Sequence, residues 1–425
     1  MDFVSELKWR GLYFDMIPDT DKHLREISAS GYIGFDPTSA SLGIGNLVQI
    51  MILRFFQNCG HRPVALLGGA TGMIGDPSGK AAERNLLSRE QLEFNKERVK
   101  GQLFKYFDFG KSHNTPLFLD NYDWFKDMAL LDFLRDTGKH LTVNYMIAKD
   151  SVKSRMDTGI SYTEFSYQLI QAYDYYWMNK NQGVTMQMGG SDQWGNITSG
   201  VELIRRMGGK NAYAVTSPLI TKADGGKFGK TEEGNIFLDR EMTSPYKFYQ
   251  FWFNVSDEEA EKYLRIFTFL PQDEIKSLVA EHAQAAHLRH LQKRLAREVT
   301  LMVHCEEDYQ TAVRASEILF GKATKETLLS ISEKDFLSVF EGVPIFKTSK
   351  SLFENGVALI EGLTASAPVF PSKGDLRRTI KEGGLSINKE KVTDENIKLT
   401  KSDLLNNRYL LVQKGKKNYF IVMAE

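Results

Sequence analysis

The sequence predicts an α/β fold: a parallel sheet with helices first, then a mostly α-helical region, then a short region of helix, strand and hairpin. Three observations carry that expectation. Strand-like runs alternate with helical periodicity through the first half, as parallel βαβ units require. Glycine-rich loops follow those strands, at the carboxyl ends where such sheets hold ligands. From about 244 to 321 the periodicity is mostly helical.

The elements follow in order. "GYIGFD" (31–36) reads as a strand, and "LVQIMILRFFQNCG" (47–60) as a helix closed by Gly60. "PVALLGG" (63–69) is the next strand, with "ATGMIGDPSG" (70–79) as the loop at its end. "LDFLRDTGKHL" (131–141) and "EFSYQLIQAYDYYWMNK" (164–180) have helical spacing, while "GVTMQMGGSDQWGNI" (183–197) runs from a strand into another glycine-rich loop. "EEAEKYLRIFTFL" and "LRHLQKRLAREVTLMVH" continue as helices. "FPSKGDLRRTIKEGGLSINKEKV" (370–392) reads as helix, turn and short strand, and "YLLVQKGKKNYFIVM" (409–423) as a hairpin. No internal repeat occurs, and 345–365 is the expected boundary before the last domain.

Composition narrows the class. A chain of 425 residues exceeds one core, so two or three domains are expected. Formal net charge is zero, so any nucleic-acid surface must be local. The last sixty residues hold 12 Lys/Arg against 7 Asp/Glu, which hints at an RNA-facing end or a merely solvated one. Cys59 and Cys305 are the only cysteines; they make neither a zinc cluster nor a disulfide framework, and a reducing cytosol fits. The first residues, "MDFVSELKWRGLYFDM", lack the apolar core of a signal peptide, and no apolar run approaches the roughly 18 residues that cross a bilayer. A cytoplasmic protein with no membrane attachment and no structural metal is expected.

Four constellations bear chemistry. "GFDPTSASLGIGNL" (34–47) leaves a strand and enters a helix, the usual way to build a phosphate site, yet its "GIGN" turn carries no charge. "KADGGKFGKT" (222–231) puts Lys227 and Lys230 on a strap with Gly225, Gly226 and Gly229. Two point charges there suit a triphosphate, although a solvated surface loop has the same composition. It is not a P-loop, because Asp224 stands where the first glycine is required; "PSGKAA" fails for want of a hydroxyl. "GGSDQWGN" (189–196) sets Asp192 and Gln193 after two glycines, fit for a ribose or simply for capping a helix. Tyr167, Gln171 and Asp174 fall at i, i+4 and i+7, one polar stripe on an apolar helix. Buried, such a stripe needs a polar ligand or an internal network, or it costs several kcal/mol.

Together and in this order, these segments resemble the bacterial-type tyrosyl-tRNA synthetases, of class I. The resemblance runs through "YIGFDPT", "GGATGMIGDPSGK", "NYDWF", "SYTEFSYQLIQAYD", "GGSDQWGNITSG", "PLITKADGGKFGKT" and "TSPYKFYQFW", and so covers essentially the whole chain. It implies a Rossmann-like parallel-sheet catalytic domain over 1–235, an α-helical tRNA-binding domain over 236–344, and a small α+β RNA-binding domain similar to ribosomal protein S4 over 345–425. It also implies tyrosine–tRNA ligation: L-tyrosine and ATP, the latter with Mg²⁺, give tyrosyl-adenylate and pyrophosphate, and tRNA(Tyr) then accepts the tyrosine. A homodimer is implied as well.

Residue by residue, the resemblance assigns the substrate phenol to Tyr32 and Asp174, and the ammonium group to Asp76, Tyr167 and Gln171. A hydroxyl and a carboxylate around a phenol reject phenylalanine by being left unpaired, and these synthetases are the standing example of that rule at about 10⁵. Gly34, Asp36, Gly43, Gly45, Gly190, Asp192, Gln193 and Lys230 would line the ATP or adenylate. Thr38, Asn46, Lys80, Arg84, Lys227, Lys230 and Thr231 would stabilise charge on the departing phosphates. In the last domain, Lys373, Arg377, Arg378, Lys414, Lys416 and Lys417 would meet RNA.

One departure stands out. The class I His-x-Gly-His signature reads Gly43-Ile44-Gly45-Asn46 here, so both histidines are missing. Loss of one preorganised donor costs about 3–4 kcal/mol, against total barrier reductions of roughly 8–23 kcal/mol, so an active enzyme with a rewired phosphate site is expected. The rival is a catalytically impaired paralogue that only binds tRNA or RNA, and a ligase for another amino acid conflicts with the Tyr32/Asp174 pair.

Overall fold

The computed structural model describes residues 2–78, 86–110, 112–156, 159–222, 225–226, 228–231, 234–320, 325–340, 343–415 and 418–425. Their contacts group into two compact units. One comprises 1–243 with 255–299, the other 244–254 with 300–425. The segment expected as one helical domain, 236–344, is therefore shared between them.

The first unit is built on a six-stranded sheet: β1 (Asp15–Met16), β2 (Ser30–Phe35), β3 (Arg62–Leu67), β4 (Leu117–Asp120), β5 (Val184–Gly190) and β6 (Tyr213–Ser217), in the order β1-β6-β5-β2-β3-β4. All neighbours run parallel except β1, which pairs antiparallel with β6. The central strands are apolar and almost fully buried, as parallel strands covered on both faces must be. Chain order reverses at β2, which has β3 on one side and β5 on the other. Such a switch point opens a crevice beyond the strand ends. Gly34, next to last in β2, and the Gly189–Gly190 pair that ends β5 lie there.

Two helices frame the crevice. Ile44–Asn58 buries ten of its fifteen residues, carrying the chain from β2 to β3. Tyr162–Gln182 starts on a Ser161 side chain that accepts the Glu164 N–H, and ends at Gly183, whose φ of +66° a residue with Cβ adopts at a cost. Its inner face packs Tyr175 and Met178 with Tyr32, Val64, Leu66 and Trp124 into one apolar cluster. The expected 131–141 helix is broken: Leu130–Asp136 is helical, and a 3-10 turn, Gly138–His140, follows.

The second unit combines helices such as Pro245–Phe253 and Glu306–Phe320 with a five-stranded sheet. Tyr409–Lys414 and Asn418–Ala424 form the expected hairpin, and Lys373–Lys381 is the expected short helix. The stretch expected as a boundary begins with an edge strand of this sheet. Ile345–Thr348 pairs parallel with Asn418–Ala424, its side chains alternating exposed and half-buried.

Candidate active site

A cavity of about 340 Å³ lies in the first unit at the switch point. Its lining joins residues from β2, from β5 and the loop after it, and from the two framing helices. Of the residues expected around tyrosine, Tyr32, Asp76, Tyr167, Gln171 and Asp174 all line it. So do Gly34, Asp36, Thr38, Gly45, Asn46, Gly190, Asp192 and Gln193. Gly43 is not part of that lining. Lys80, Arg84 and Lys227 lie outside the described residues, and of Lys230 and Thr231 only the backbone is described, as a short strand.

The deep end is buried and polar. Asp174, 1% exposed, accepts Trp124 Nε1–H on Oδ1 at 2.9 Å and Asn121 Nδ2–H on Oδ2 at 3.1 Å. Burial outweighs these donors and pushes its carboxyl up to about 8. Tyr32, equally buried, has a hydroxyl with no hydrogen-bond partner among the described residues. Burial first, and the nearby Asp174 charge second, raise its phenol well above the ordinary range. Gln49, Gln171 and Gln187 each add a buried carbonyl oxygen without a described partner to the same lining. An unpaired buried polar atom costs about 1–3 kcal/mol, and several in one cavity mark a place shaped for a polar ligand.

A chain of hydrogen bonds leads from there to the mouth. Asn121 Nδ2 also donates to Thr71 Oγ1 (3.0 Å), Thr71 donates to Asp36 Oδ1 (2.7 Å), and Tyr167 OH donates to Asp36 Oδ2 (2.9 Å). Tyr167 and Asp174 share one helix, so the chain closes on itself. Gly68 makes room for it, since a Cβ there would overlap Asp36 Oδ1. Beside this ring, Gln193 Nε2 donates to Asp76 Oδ2 (2.7 Å) and Ser78 N–H to Asp76 Oδ1 (2.9 Å). Asp192 is raised from its ordinary range by burial and by Asp76. At the helix entrance Gly43 N–H donates to Asn46 Oδ1 (3.1 Å), and Asn46 N–H to the Gly43 carbonyl (2.9 Å). Asn46 thus caps the turn where the signature histidine would stand.

Asn121, Trp124 and Thr71 were not singled out by sequence reading. "NYDWF" holds the first two, but an asparagine before an aromatic pair carries no signal of its own until the fold brings it to Asp174.

In the second unit, the expected RNA-facing cations are partly engaged. Arg377 pairs with Glu395 (3.1 Å), while Arg378 (2.6 Å) and Lys414 (2.7 Å) both pair with Asp375. Lys373 is exposed at the start of its helix. Lys416 and Lys417 lie outside the described residues. No helix among the described residues is long and apolar enough to cross a membrane.

Comparison with known proteins identifies the family. Residues 25–321 match the family model of the tRNA synthetases class I (W and Y), and 335–422 match that of the tyrosine–tRNA ligase SYY-like C-terminal domain. The chain is 57% identical to the tyrosine–tRNA ligase of Porphyromonas gingivalis strain W83, covering 100% of both chains. It is 54% identical to that of Cytophaga hutchinsonii, covering 99% of both. Among solved structures, a C-terminally truncated mitochondrial tyrosyl-tRNA synthetase of Aspergillus nidulans superposes with a TM-score of 0.68 at 31% identity, over 75% of this chain and 94% of that one. With a family model over most of its length and full-length relatives above half identity, the chain belongs to the class I tRNA synthetases, in the bacterial-type tyrosyl branch.

Proposed function

We propose that this chain is a tyrosine–tRNA ligase that joins L-tyrosine to ATP, releases pyrophosphate, and passes the tyrosine to the terminal adenosine of tRNA(Tyr). One observation carries the substrate choice: the unpartnered Tyr32 hydroxyl and the buried Asp174 carboxyl line the same cavity. Each Asp174 oxygen accepts one described donor, and the carboxyl, neutral below about 8, still offers a carbonyl lone pair to a substrate phenol O–H, while Tyr32 donates to the phenol oxygen. Phenylalanine would leave both unsatisfied. Asp76, Tyr167 and Gln171 hold the ammonium group. Asp36, Asp192, Gln193, Gly34, Gly45 and Gly190 line the adenylate.

The chemistry asks mainly for geometry. The tyrosine carboxylate, already ionised at pH 7, attacks the α-phosphorus of ATP; the new O–P bond forms as the bond to the β-phosphate oxygen breaks. No general base is needed, so the protein contributes positioning and stabilisation of the leaving pyrophosphate. Thr38, Asn46, Lys80, Arg84, Lys227, Lys230 and Thr231 supply that stabilisation, with Mg²⁺ arriving on the ATP. In the second step a ribose hydroxyl of the tRNA attacks the mixed anhydride and AMP leaves. Lys373, Arg377, Arg378, Lys414, Lys416 and Lys417 contact the tRNA, residues 345–425 forming an S4-like module. The working form is a cytoplasmic homodimer.

Tyrosine-dependent ATP–pyrophosphate exchange, followed by charging of tRNA(Tyr), tests this reading. Exchange driven by tyrosine and not by phenylalanine is expected. Absence of exchange at high enzyme concentration, with tRNA binding intact, would establish the impaired paralogue instead.

A further inference from the structure

We infer that Asn95 and Gln102, on one face of the Arg89–Phe104 helix, are positioning residues: they grip the loop over residues 37–42 so that Thr38 is set for ATP. This role rests on the reading that the site activates tyrosine with ATP.

The loop runs from β2 to the Ile44–Asn58 helix and belongs to neither, so its buried backbone groups need partners from elsewhere. Pro37, Ser41 and Leu42 are buried. The Pro37 carbonyl accepts Asn95 Nδ2–H at 3.1 Å, and Leu42 N–H donates to Gln102 Oε1 at 2.9 Å. Gln102 Nε2 also donates to Ser41 Oγ at 3.0 Å. Asn95 and Gln102 stand two turns apart on a single face, so one rigid helix fixes both ends of the loop at once. The grip is itself supported. Asn95 is 2% exposed, and its Oδ1 accepts Gln91 Nε2–H at 2.8 Å, which orients the amide. The neighbouring Lys96 pairs with Asp120 at 2.7 Å, tying the helix to the end of β4. Ser41 Oγ further accepts Asp239 N–H at 3.1 Å, and Arg98 pairs with the Asp239 carboxylate. The stretch beyond the Lys230–Thr231 ribbon is thereby held by the same helix.

The two sides of the loop are anchored separately, and that separation gives the role a distinct signature. Asp36 is held from the tyrosine side, by Thr71 at 2.7 Å and by Tyr167 at 2.9 Å. Thr38 lines the cavity one residue beyond the Pro37 carbonyl that Asn95 holds. Loss of Asn95 or Gln102 therefore shifts the phosphate side of the site and leaves the Asp36–Tyr167 side in place. A displacement near 1 Å costs about 10² in rate.

Asn95→Ala, Gln102→Leu and Gln102→Glu separate this role from a generally structural one. The first removes the donor to Pro37, the second removes both Gln102 contacts, and the third keeps an acceptor for Leu42 N–H. Glu97→Ala, at an exposed position of the same helix, is the control. The readouts are kcat and KM for ATP in tyrosine-dependent pyrophosphate exchange, the Kd for tyrosine by calorimetry, and amide hydrogen exchange at Leu42. Asn95→Ala and Gln102→Leu should lower kcat/KM for ATP about ten-fold or more and move the tyrosine Kd less than about two-fold. Gln102→Glu should stay within about three-fold of wild type, and Gln102→Leu should speed Leu42 exchange. Unchanged kcat/KM for ATP in both Asn95→Ala and Gln102→Leu would overturn the proposal, as would equal losses in ATP efficiency and tyrosine affinity. So would rapid Leu42 exchange in the wild-type protein, a measurement that needs no variant to fold. Wild type without tyrosine-dependent exchange, but with a slow Leu42 amide that Gln102→Leu releases, would refute the catalytic reading and uphold the grip.

Discussion

Asn121 and Asp174, fifty-three positions apart, are tied by a 3.1 Å hydrogen bond at the floor of the cavity, and the same Asn121 amide nitrogen donates to Thr71. Its carbonyl accepts Ala70 N–H at 2.6 Å, so both donors and one lone pair of the side chain are used. Asn121→Ala removes one donor from a buried carboxyl and loosens the link to Asp36. Leaving a buried acceptor unsatisfied costs about 1–3 kcal/mol, so tyrosine affinity should fall roughly 10- to 100-fold, with the Tyr167–Asp36 end affected as well. Titration calorimetry with tyrosine checks this; an unchanged Kd would contradict it.

The pH dependence of stability follows from Asp174. Its carboxyl is raised from 3.8 to about 8 by burial, so the folded state holds a proton the unfolded chain releases near its ordinary value. The native form therefore binds more protons between these limits, and this group's contribution falls as pH rises from about 4 through 8. Asp174→Asn abolishes the titration. The melting temperature of the variant should gain on wild type steadily across that window, while tyrosine binding is lost. A difference that stays flat from pH 4 to 8 would place the carboxyl in a wetter setting.

Tyr32→Phe should separate stability from function. The hydroxyl has no described partner, so its removal relieves a buried polar atom and should stabilise the protein by up to about 1–3 kcal/mol. Tyrosine, which would use that hydroxyl, should bind about ten-fold more weakly, and discrimination against phenylalanine should fall by a similar factor. Thermal melting and paired exchange assays measure both. Destabilisation would reveal a hidden partner for the oxygen.

At the other end of the chain, Lys373→Ala, Arg377→Ala and Arg378→Ala together should weaken tRNA binding and flatten its dependence on salt, because each phosphate contact releases counterions. Tyrosine-dependent exchange should be unaltered. Asp375→Asn frees Arg378 and Lys414 from their shared carboxylate and should strengthen tRNA binding at low salt. Aminoacylation at limiting tRNA reads out both.

Legibility in the sequence tracks how local each feature is. The polar stripe of Tyr167, Gln171 and Asp174 was readable because 3.6 residues per turn puts those positions on one face, whatever surrounds the helix. The strands near 31–36 and 63–69 were readable from their apolar runs, and the observed limits, Ser30–Phe35 and Arg62–Leu67, differ by a residue or two. Strand β4 leaves little signal because Leu117–Asp120 has only four residues, and an apolar run of three is too short to tell a strand from a loop. The 131–141 helix was read as continuous, but it gives way at Thr137, just before Gly138. Glycine's backbone freedom disfavours a regular helix there.

What the sequence by itself determined, then, is the alternation of elements, the glycine-rich strand ends and the helical stripe, since these depend on neighbours within a few positions. Only the tertiary structure decided what each polar group meets. Asp36 reaches Tyr167 across 131 positions, and Asp174 finds Trp124 across fifty. Only folding could lift a carboxyl to about 8 or bring Phe237 against Gly43. Desolvation and hydrogen bonding act through space, and distance along the chain does not encode them.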